Sequence, residues 1–483
     1  MKISNIFGLN KTQLELDFVD IDIAVDTRLF IDPEIIAKSN DSFIGLMDRY
    51  IKSFFNYFLN LVKNGNKDEA KTLFLHLGEV NDICLGMSAG TPKGSGIGRG
   101  KAEKIFDSLL ESRAAETGIM QDIEDCKLFV EGVDKDNVSD MVANIIKMPL
   151  IQYTQDQCKL LGIPLVNVPT GWYWNGMTLT WENNYSDRLV IGSKTYLLVP
   201  KRIVTYTSKY NSGVFVQHFA LNYMQNEELR LNGSLVQQSY DKKGRILREF
   251  VTKKDLRKRE SDNGEILSKE WVTKFCQNHT EILSEFKSTK VKSNTFSAFD
   301  DINVNELVDY LIQKLNNTPT GNEHATAYHR LIFGILELLF YPYLCYPKIE
   351  NEINDGRKRI DITFNNSADN GFFSLLPNVH RITSTLIIIE CKNYSRDIAN
   401  PELDQLSGRF GANRGNFGLV ICRSIDDEVL FTQRCKDLYS AKKELIFCLT
   451  DKIIIQLLQG YKQKGHIVWE DKFQDMLTEI VSG

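Results

Sequence analysis

The run Thr385-Leu-Ile-Ile-Ile-Glu-Cys-Lys392 constrains this chain more than any other stretch. Four consecutive aliphatic residues call for a strand buried on both faces, the hallmark of a sheet interior. That strand nevertheless ends in two opposite charges. Glu390 and Lys392 stand two apart and share a face, while Cys391 points the other way. A carboxylate and an ammonium in such a place must be matched to each other or to another charge. A second short apolar run, Arg359-Ile-Asp-Ile-Thr-Phe364, carries an acid of its own. Asp361 shares a face with Arg359 and Thr363; Ile360, Ile362 and Phe364 take the opposite one. If the two strands pair, Asp361 and Glu390 converge on one cation. The plain alternative is ordinary ion pairing, Glu390 with Lys392 or Asp361 with a neighbouring Arg.

The surrounding pattern is α/β. A helix is expected over Asn305–Leu315, a loop over Asn316–Gly321, and a long apolar helix from His324 to Phe340, stopped by Tyr341-Pro342. Strands follow near 359–364 and 385–391. A helix then starts at Pro401 behind an Asn400 cap, with strands at 417–422 and 445–450. Earlier in the chain, the period-2 alternation of Leu16–Ile31 predicts one or two strands, Ser42–Val62 an amphipathic helix, and Lys101–Ser112 another. Residues 160–235 read as strand-rich. This gives an α+β N-terminal unit over 1–240, a charged and exposed helical connector over 241–299, and a C-terminal α/β unit over 300–483.

Composition narrows the class. Hydrophobic residues at 42% and charged residues at 25% are ordinary for a globular protein. No apolar run approaches the ~20 residues of a membrane helix. The first residues lack the basic-then-apolar layout of a secretory signal. The nine cysteines show no CxxC spacing and read as reduced core thiols of a cytoplasmic protein, which argues against a zinc site. A net charge of −5 means that any nucleic-acid surface must be a local basic patch.

Two converging carboxylates suit Mg²⁺, and Mn²⁺ can replace it. The Cys391 backbone carbonyl is a third candidate ligand. Lys392 would orient or deprotonate an attacking water, or stabilise charge on a phosphorane. In the following helix Leu403, Leu406 and Phe410 share a face, while Gln405 and Arg409, four apart, lie together on another. Gln405 can thus be presented to the water or to a phosphate. This set resembles the PD-(D/E)xK superfamily of nucleases, close to its Mrr-type branch, over roughly residues 300–458. The resemblance implies a restriction-endonuclease-like mixed sheet flanked by helices. It implies catalytic roles for Asp361, Glu390, Lys392 and Gln405, and metal contacts from Asp361, Glu390 and the Cys391 carbonyl. Glu337 matches the acid that some members carry on the first core helix. Two features depart from the family pattern. Ile360 stands where the eponymous Pro is expected, and the connection Asn365–Arg381 is long and partly apolar.

Arg357, Lys358 and Arg359 before the first acid, and Arg409 and Arg414 after the site, would face DNA phosphates, as would Arg423. A nuclease behind a second unit is similar to bacterial antiphage effector nucleases. That likeness implies a Mg²⁺-dependent DNA endonuclease with a sensing or regulatory N-terminal unit, a phage-derived or protein trigger, and homo-oligomeric assembly. The competing readings are a ribonuclease and a non-catalytic nucleic-acid- or protein-binding module on the same scaffold. An alanine at Asp361, Glu390 or Lys392 is expected to abolish cleavage and leave the fold intact.

Weaker signals lie elsewhere. Gly96–Ile105 has the Gly-x-Gly turn of half a helix-hairpin-helix element without its Pro. Asp20, Asp22, Asp26 and Asp32 read as an acidic face. Trp172, Trp174 and Trp181 read as packing, and the seven histidines as structural. Lys253, Lys254, Arg257, Lys258 and Arg259 form a basic stretch open to DNA contact or simple solvation.

Overall fold

A computed structural model describes residues 1–78, 80, 82–86, 99–206, 210–262, 267–288, 302–349, 361–398 and 400–481. Arg357, Lys358 and Arg359, the Gly96–Gly98 turn and the side chain of Asp361 lie outside the described residues.

The labelled elements, in chain order, are these. Helix α1 is Ser42–Lys63, α2 is Lys147–Leu161 and α3 is Leu221–Arg230. A hairpin of β1 (Gln237–Tyr240) and β2 (Ile246–Phe250) leads into α4, Lys253–Asp262. The C-terminal unit opens with α5 (Val304–Asn317) and α6 (Ala325–Phe340). Strands β3 (Leu344–Ile349) and β4 (Asp361–Asn366) precede α7, Gly371–Asn378. Then come β5 (Leu386–Lys392), α8 (Asn400–Ser407) and β6 (Phe417–Cys422). Helix α9 (Glu428–Lys442), β7 (Leu445–Thr450), α10 (Asp451–Lys464) and α11 (Glu470–Val481) complete it.

The C-terminal sheet has the order β3-β4-β5-β6-β7. Its first two pairings are antiparallel and its last two parallel, with α8 and α9 as crossovers. The aliphatic runs fall where their burial demands. Ile387 to Lys392, all of β6 and all of β7 are buried. One face is closed by an aromatic layer in which Phe372, Phe417, Phe447 and Phe473 meet edge to face and Phe373 packs tilted on Trp469. The mixed α/β class therefore stands as read. Strand β3 and helix α7 add to the expected elements. Strand β3 escapes a period-2 reading because it breaks register between Cys345 and Lys348, where Tyr346 has φ 55°.

The N-terminal half differs more from its sequence reading. Helix α1 forms as expected, capped by Asp41, which accepts from Phe43 N at 2.8 Å and Ile44 N at 3.0 Å. Leu16–Ile31 forms only the two-residue strand Phe30–Ile31, paired with Val204–Thr205, plus isolated bridges. Its alternation does not mark one wet face, because Leu16 through Ile21 are all buried, acids included. Their charges are met locally: Asp20 accepts from Ser4 N at 2.9 Å and Ser4 Oγ at 2.6 Å. Asp22 meets the chain's amino terminus, and Asp32 caps the helix at Pro33. Trp174 is buried and donates to Ser53 Oγ at 2.9 Å, the packing role expected of it.

The stretch read as an exposed connector is also different. Helices Lys269–Asn278 and Thr280–Ser288 bury Trp271, Val272, Phe275, Cys276, Leu283 and Phe286. Lys269 Nζ donates to Val130 O at 2.7 Å and Val133 O at 2.6 Å, and Lys287 pairs with Asp125 at 2.8 Å. These helices dock on the N-terminal half. Only the hairpin β1–β2 and the outer face of α4 fit the exposed description.

The two halves share one hydrophobic core. Polar contacts across it are buried and specific. Asp41, while capping α1, also accepts from Ser367 Oγ and from Asn365 Nδ2 at 3.3 Å. Arg202 donates to Pro342 O and, at 2.9 Å, to Ser367 O. Asp17 accepts from Tyr346 N at 3.2 Å and Tyr153 Oη at 2.7 Å. Lys201 reaches Glu337 at 3.0 Å, with both side chains almost wholly buried.

Two expectations follow from this shared core. A fragment beginning at Asp300 strips Lys201, Asp17 and Arg202 from their partners and exposes apolar surface of α6 and β3. It should fail to give a cooperative urea transition, whereas the full chain gives one; a two-state melt of the fragment would show the halves to be independent. The second concerns Glu337. Burial pushes its carboxyl up to about 7, with Lys201 opposing the shift and Asp17 reinforcing it. Above its unfolded value and below about 7, the folded chain binds a proton that the unfolded chain has lost, so stability falls as pH rises through that window. Glu337→Gln removes this contribution. Its melting temperature should decline less than the wild type's between about pH 5 and about pH 8; equal declines would refute it.

Candidate active site

Strand β5 reaches the middle of the sheet between β4 and β6, and its last three residues carry the charge. The register sets Asp361 of β4 opposite Glu390 of β5. Glu390 is fully buried and Lys392 is 1% exposed. A lone charge in that position would be prohibitive, and each supplies the other's counter-charge. Lys392 Nζ donates to Glu390 Oε1, as the two-residue spacing requires, and at 3.0 Å to Gln405 Oε1. Arg409 Nε lies 3.8 Å from Glu390 Oε2. Gln405 stands in α8, and Arg409 lies just past its end. Their four-residue spacing brings both onto the same Glu–Lys pair, while Leu403 and Leu406 hold α8 against the sheet.

Sequence reasoning missed one member of this cluster. His329 lies on the buried stripe of α6 with Phe333 and Leu336, and both of its ring nitrogens are buried. Neither ring nitrogen makes a hydrogen bond among the described residues; the ring lies near the Cys391 backbone and the charges of Glu390 and Lys392, and burial lowers its pKa. The available signal was a polar residue at i, i+4, i+7 spacing with apolar ones in a helix expected to pack on the sheet.

The other expected residues go elsewhere. Glu337 is eight positions beyond His329, about 12 Å along the helix axis. Its neighbours are Lys201, Asp17 and Lys11 of the N-terminal half. A Cβ at Gly334, on the same side of α6, would collide with Lys11 Nζ, so the side chains of Lys11 and Glu15 seat directly on the helix here. Glu337 is therefore a packing charge and not a partner of Glu390, which corrects its expected metal role. Arg414 sits in the turn expected of it, bridged Gly411 to Gly415, but its carbonyl accepts from Leu386 N at 2.8 Å. That is the opposite end of β5, about 13 Å from Glu390 at 3.3 Å per residue. Arg423 is consumed structurally. It pairs with Asp451 at 2.8 Å, donates to Thr318 O at 2.8 Å, and stacks on Tyr328. Among the described residues, no three His, Cys, Asp or Glu side chains form a ready-made cation cage.

The burial of Glu390 and Lys392 also corrects the expectation that alanine leaves the fold intact. Glu390→Ala strands the Lys392 ammonium in the interior, at a cost of about 3–5 kcal/mol. The double variant Glu390→Gln/Lys392→Met strands neither charge and should lose less than Glu390→Ala alone. Urea denaturation of the two proteins checks this; a larger loss in the double variant would mean that the charges are not matched to each other.

A family model described as a domain of unknown function (DUF8370) matches residues 8–211. That span covers the N-terminal half, including Lys11, Asp17 and Lys201, and stops short of the C-terminal sheet. No curated protein and no solved structure matches the chain.

Proposed function

We propose that this chain is a metal-dependent nuclease of the PD-(D/E)xK type that hydrolyses DNA phosphodiester bonds. The observation that carries this reading is the register of β4 on β5. It sets Asp361 opposite Glu390, beside a hydrogen-bonded line of buried Glu390, buried Lys392 and partly exposed Gln405. The sheet order supports the restriction-endonuclease-like layout: two antiparallel pairings, then a parallel crossover through the helix that carries Gln405.

The donor set fits a hard divalent cation. Asp361, Glu390 and the Cys391 carbonyl would hold Mg²⁺ or Mn²⁺ through oxygen alone. Bound there, the ion supplies Lewis acidity toward the scissile phosphate. The remaining work falls to side chains. Lys392, steered by Glu390 and Gln405, orients the attacking water and stabilises charge growing on the phosphoryl oxygens. Gln405 fixes the Lys392 ammonium. Arg409, half-exposed beside Glu390, is placed to meet a phosphate oxygen. His329, buried near Cys391, Glu390 and Lys392, helps keep water from that end of β5. A role in antiphage defence, with the N-terminal half as regulator, rests on the family resemblance of the whole chain.

Purified full-length protein, incubated with plasmid and linear DNA, provides the test. Mg²⁺ or Mn²⁺ should support cutting, EDTA should stop it, and Ca²⁺ should give little turnover because its looser coordination orients water poorly. Glu390→Gln should cut at least about 100-fold more slowly. Full activity in chelated buffer would end the proposal, and cleavage of RNA in place of DNA would turn it to a ribonuclease.

A further inference from the structure

Among the described residues, the hairpin β1–β2 is a two-stranded ribbon with no third strand. Such a ribbon is marginally stable alone, and this one is fastened only at its base. Gln237 Nε2 donates to Asp255 Oδ2 at 2.7 Å, and Gln225 of α3 donates to Val251 O. Lys253 Nζ donates to Gln217 O at 2.6 Å, and Arg259 pairs with Glu228 at 2.6 Å. Beyond these anchors, residues 242–249 are exposed on both faces.

The charge on the free part is one-sided. Between Tyr240 and Arg259 stand nine Lys and Arg against three Asp and Glu, in a chain whose net charge is −5. Asp241 at the turn is spent on its own backbone, accepting from Lys243 N at 2.7 Å and Arg245 N at 2.9 Å. The side chains of Lys242, Lys243 and Arg245 meet no acid among the described residues, and neither do those of Lys254 and Lys258 on the exposed face of α4. Tyr240, Ile246 and Leu247 are exposed among them, at 58%, 55% and 68%. Solvation alone favours mixed signs and few exposed aliphatics. Unpaired cations with apolar tips suit a polyanion that also offers apolar edges.

We infer that the ribbon β1–β2 and the outer face of α4 form a duplex-DNA-binding element, with the ribbon in the major groove and α4 along a phosphate backbone. The dimensions agree: B-DNA's major groove, about 12 Å wide, admits a two-stranded ribbon. The deep, narrow major groove of A-form RNA does not. Lys242, Lys243 and Arg245 meet phosphates at the groove edges, and Ile246 and Leu247 meet base edges and thymine methyls. This deepens the nuclease reading and rests on it: the substrate becomes double-stranded DNA, held at a surface apart from Glu390.

The test uses the full chain in EDTA, so binding is read without cutting. A labelled duplex of about 20 bp is titrated by fluorescence anisotropy over a range of salt. The triple variant Lys242→Glu/Lys243→Glu/Arg245→Glu should bind at least about 10-fold more weakly, and its log–log salt slope should shrink by about 2–3. Because the three residues are exposed, its melting temperature should match the wild type's. Unchanged affinity and slope in the triple variant would overturn the ribbon assignment and leave the nuclease reading intact. Ribbon-dependent binding by a protein that cuts nothing with Mg²⁺ would do the reverse. Equal affinity for duplex RNA, or binding to phosphatidylglycerol vesicles without binding to DNA, would also overturn the assignment.

Discussion

A carboxylate in the middle of the apolar helix α6 ties the two halves together. Buried beside Ile335, Leu336, Leu338 and Leu339, Glu337 needs a cation to hold its charge, and among the described residues none of its own half pairs with it. Lys201 provides it from the N-terminal half. Lys201 is itself held by Leu16 O at 2.6 Å and lies over the Tyr341 ring at 4.0 Å. Breaking a buried pair of this kind costs about 3–5 kcal/mol, a large share of a typical domain's stability. The extended segment around Asp17, the turn at Lys201 and helix α6 of the C-terminal unit therefore order together.

The parts of the fold legible in the sequence were those fixed by local pattern. Strands β5, β6 and β7 announce themselves because parallel strands covered on both faces read as unbroken aliphatic runs. Helices α1 and α5 carry caps as well as 3.6-residue periodicity, and α6 carries the periodicity. The pairing of Glu390 with Lys392, and the reach of Gln405 and Arg409, follow from spacings of two and four. What stayed hidden depends on distant partners. Leu16–Ile31 imitates a strand, but its acids are buried against Ser4, Tyr153 and Tyr346. The charged stretch after Asp241 is split between a docked pair of helices and a free ribbon, and only the spacing of Trp271, Phe275 and Leu283 hints at the docking. Glu337 looked like a ligand because its true partner, Lys201, lies in the other half of the chain.

The site also carries a lesson about charge. Glu390 and Lys392 are matched so completely that the pair resembles an ordinary buried ion pair. Three features favour the proposed nuclease reading over that one. The pair ends a strand rather than interrupting it, a second acid faces it across an antiparallel register, and a glutamine is drawn in from the next helix. A structural ion pair needs none of these, whereas a phosphate-cleaving site needs an anchored cation next to oxygens that can bind a metal.

Helix α6 gives the N-terminal half physical access to that site. One side of the helix presents Arg330 O, Gly334 and Glu337 to Lys11 and Lys201; another presents His329 to the Cys391 backbone. A helix is stiff over these two turns, so a shift in how Lys11 and Lys201 seat it is carried to His329 and the end of β5. The residues that hold α6 from outside fall within the matched span 8–211, while the residues that would do chemistry fall beyond it. A unit joined to the C-terminal sheet by buried charges and a common core touches that sheet through packing. Any control it exerts over Glu390 and Lys392 therefore runs through the seating of α6 and needs no hinge between separate domains.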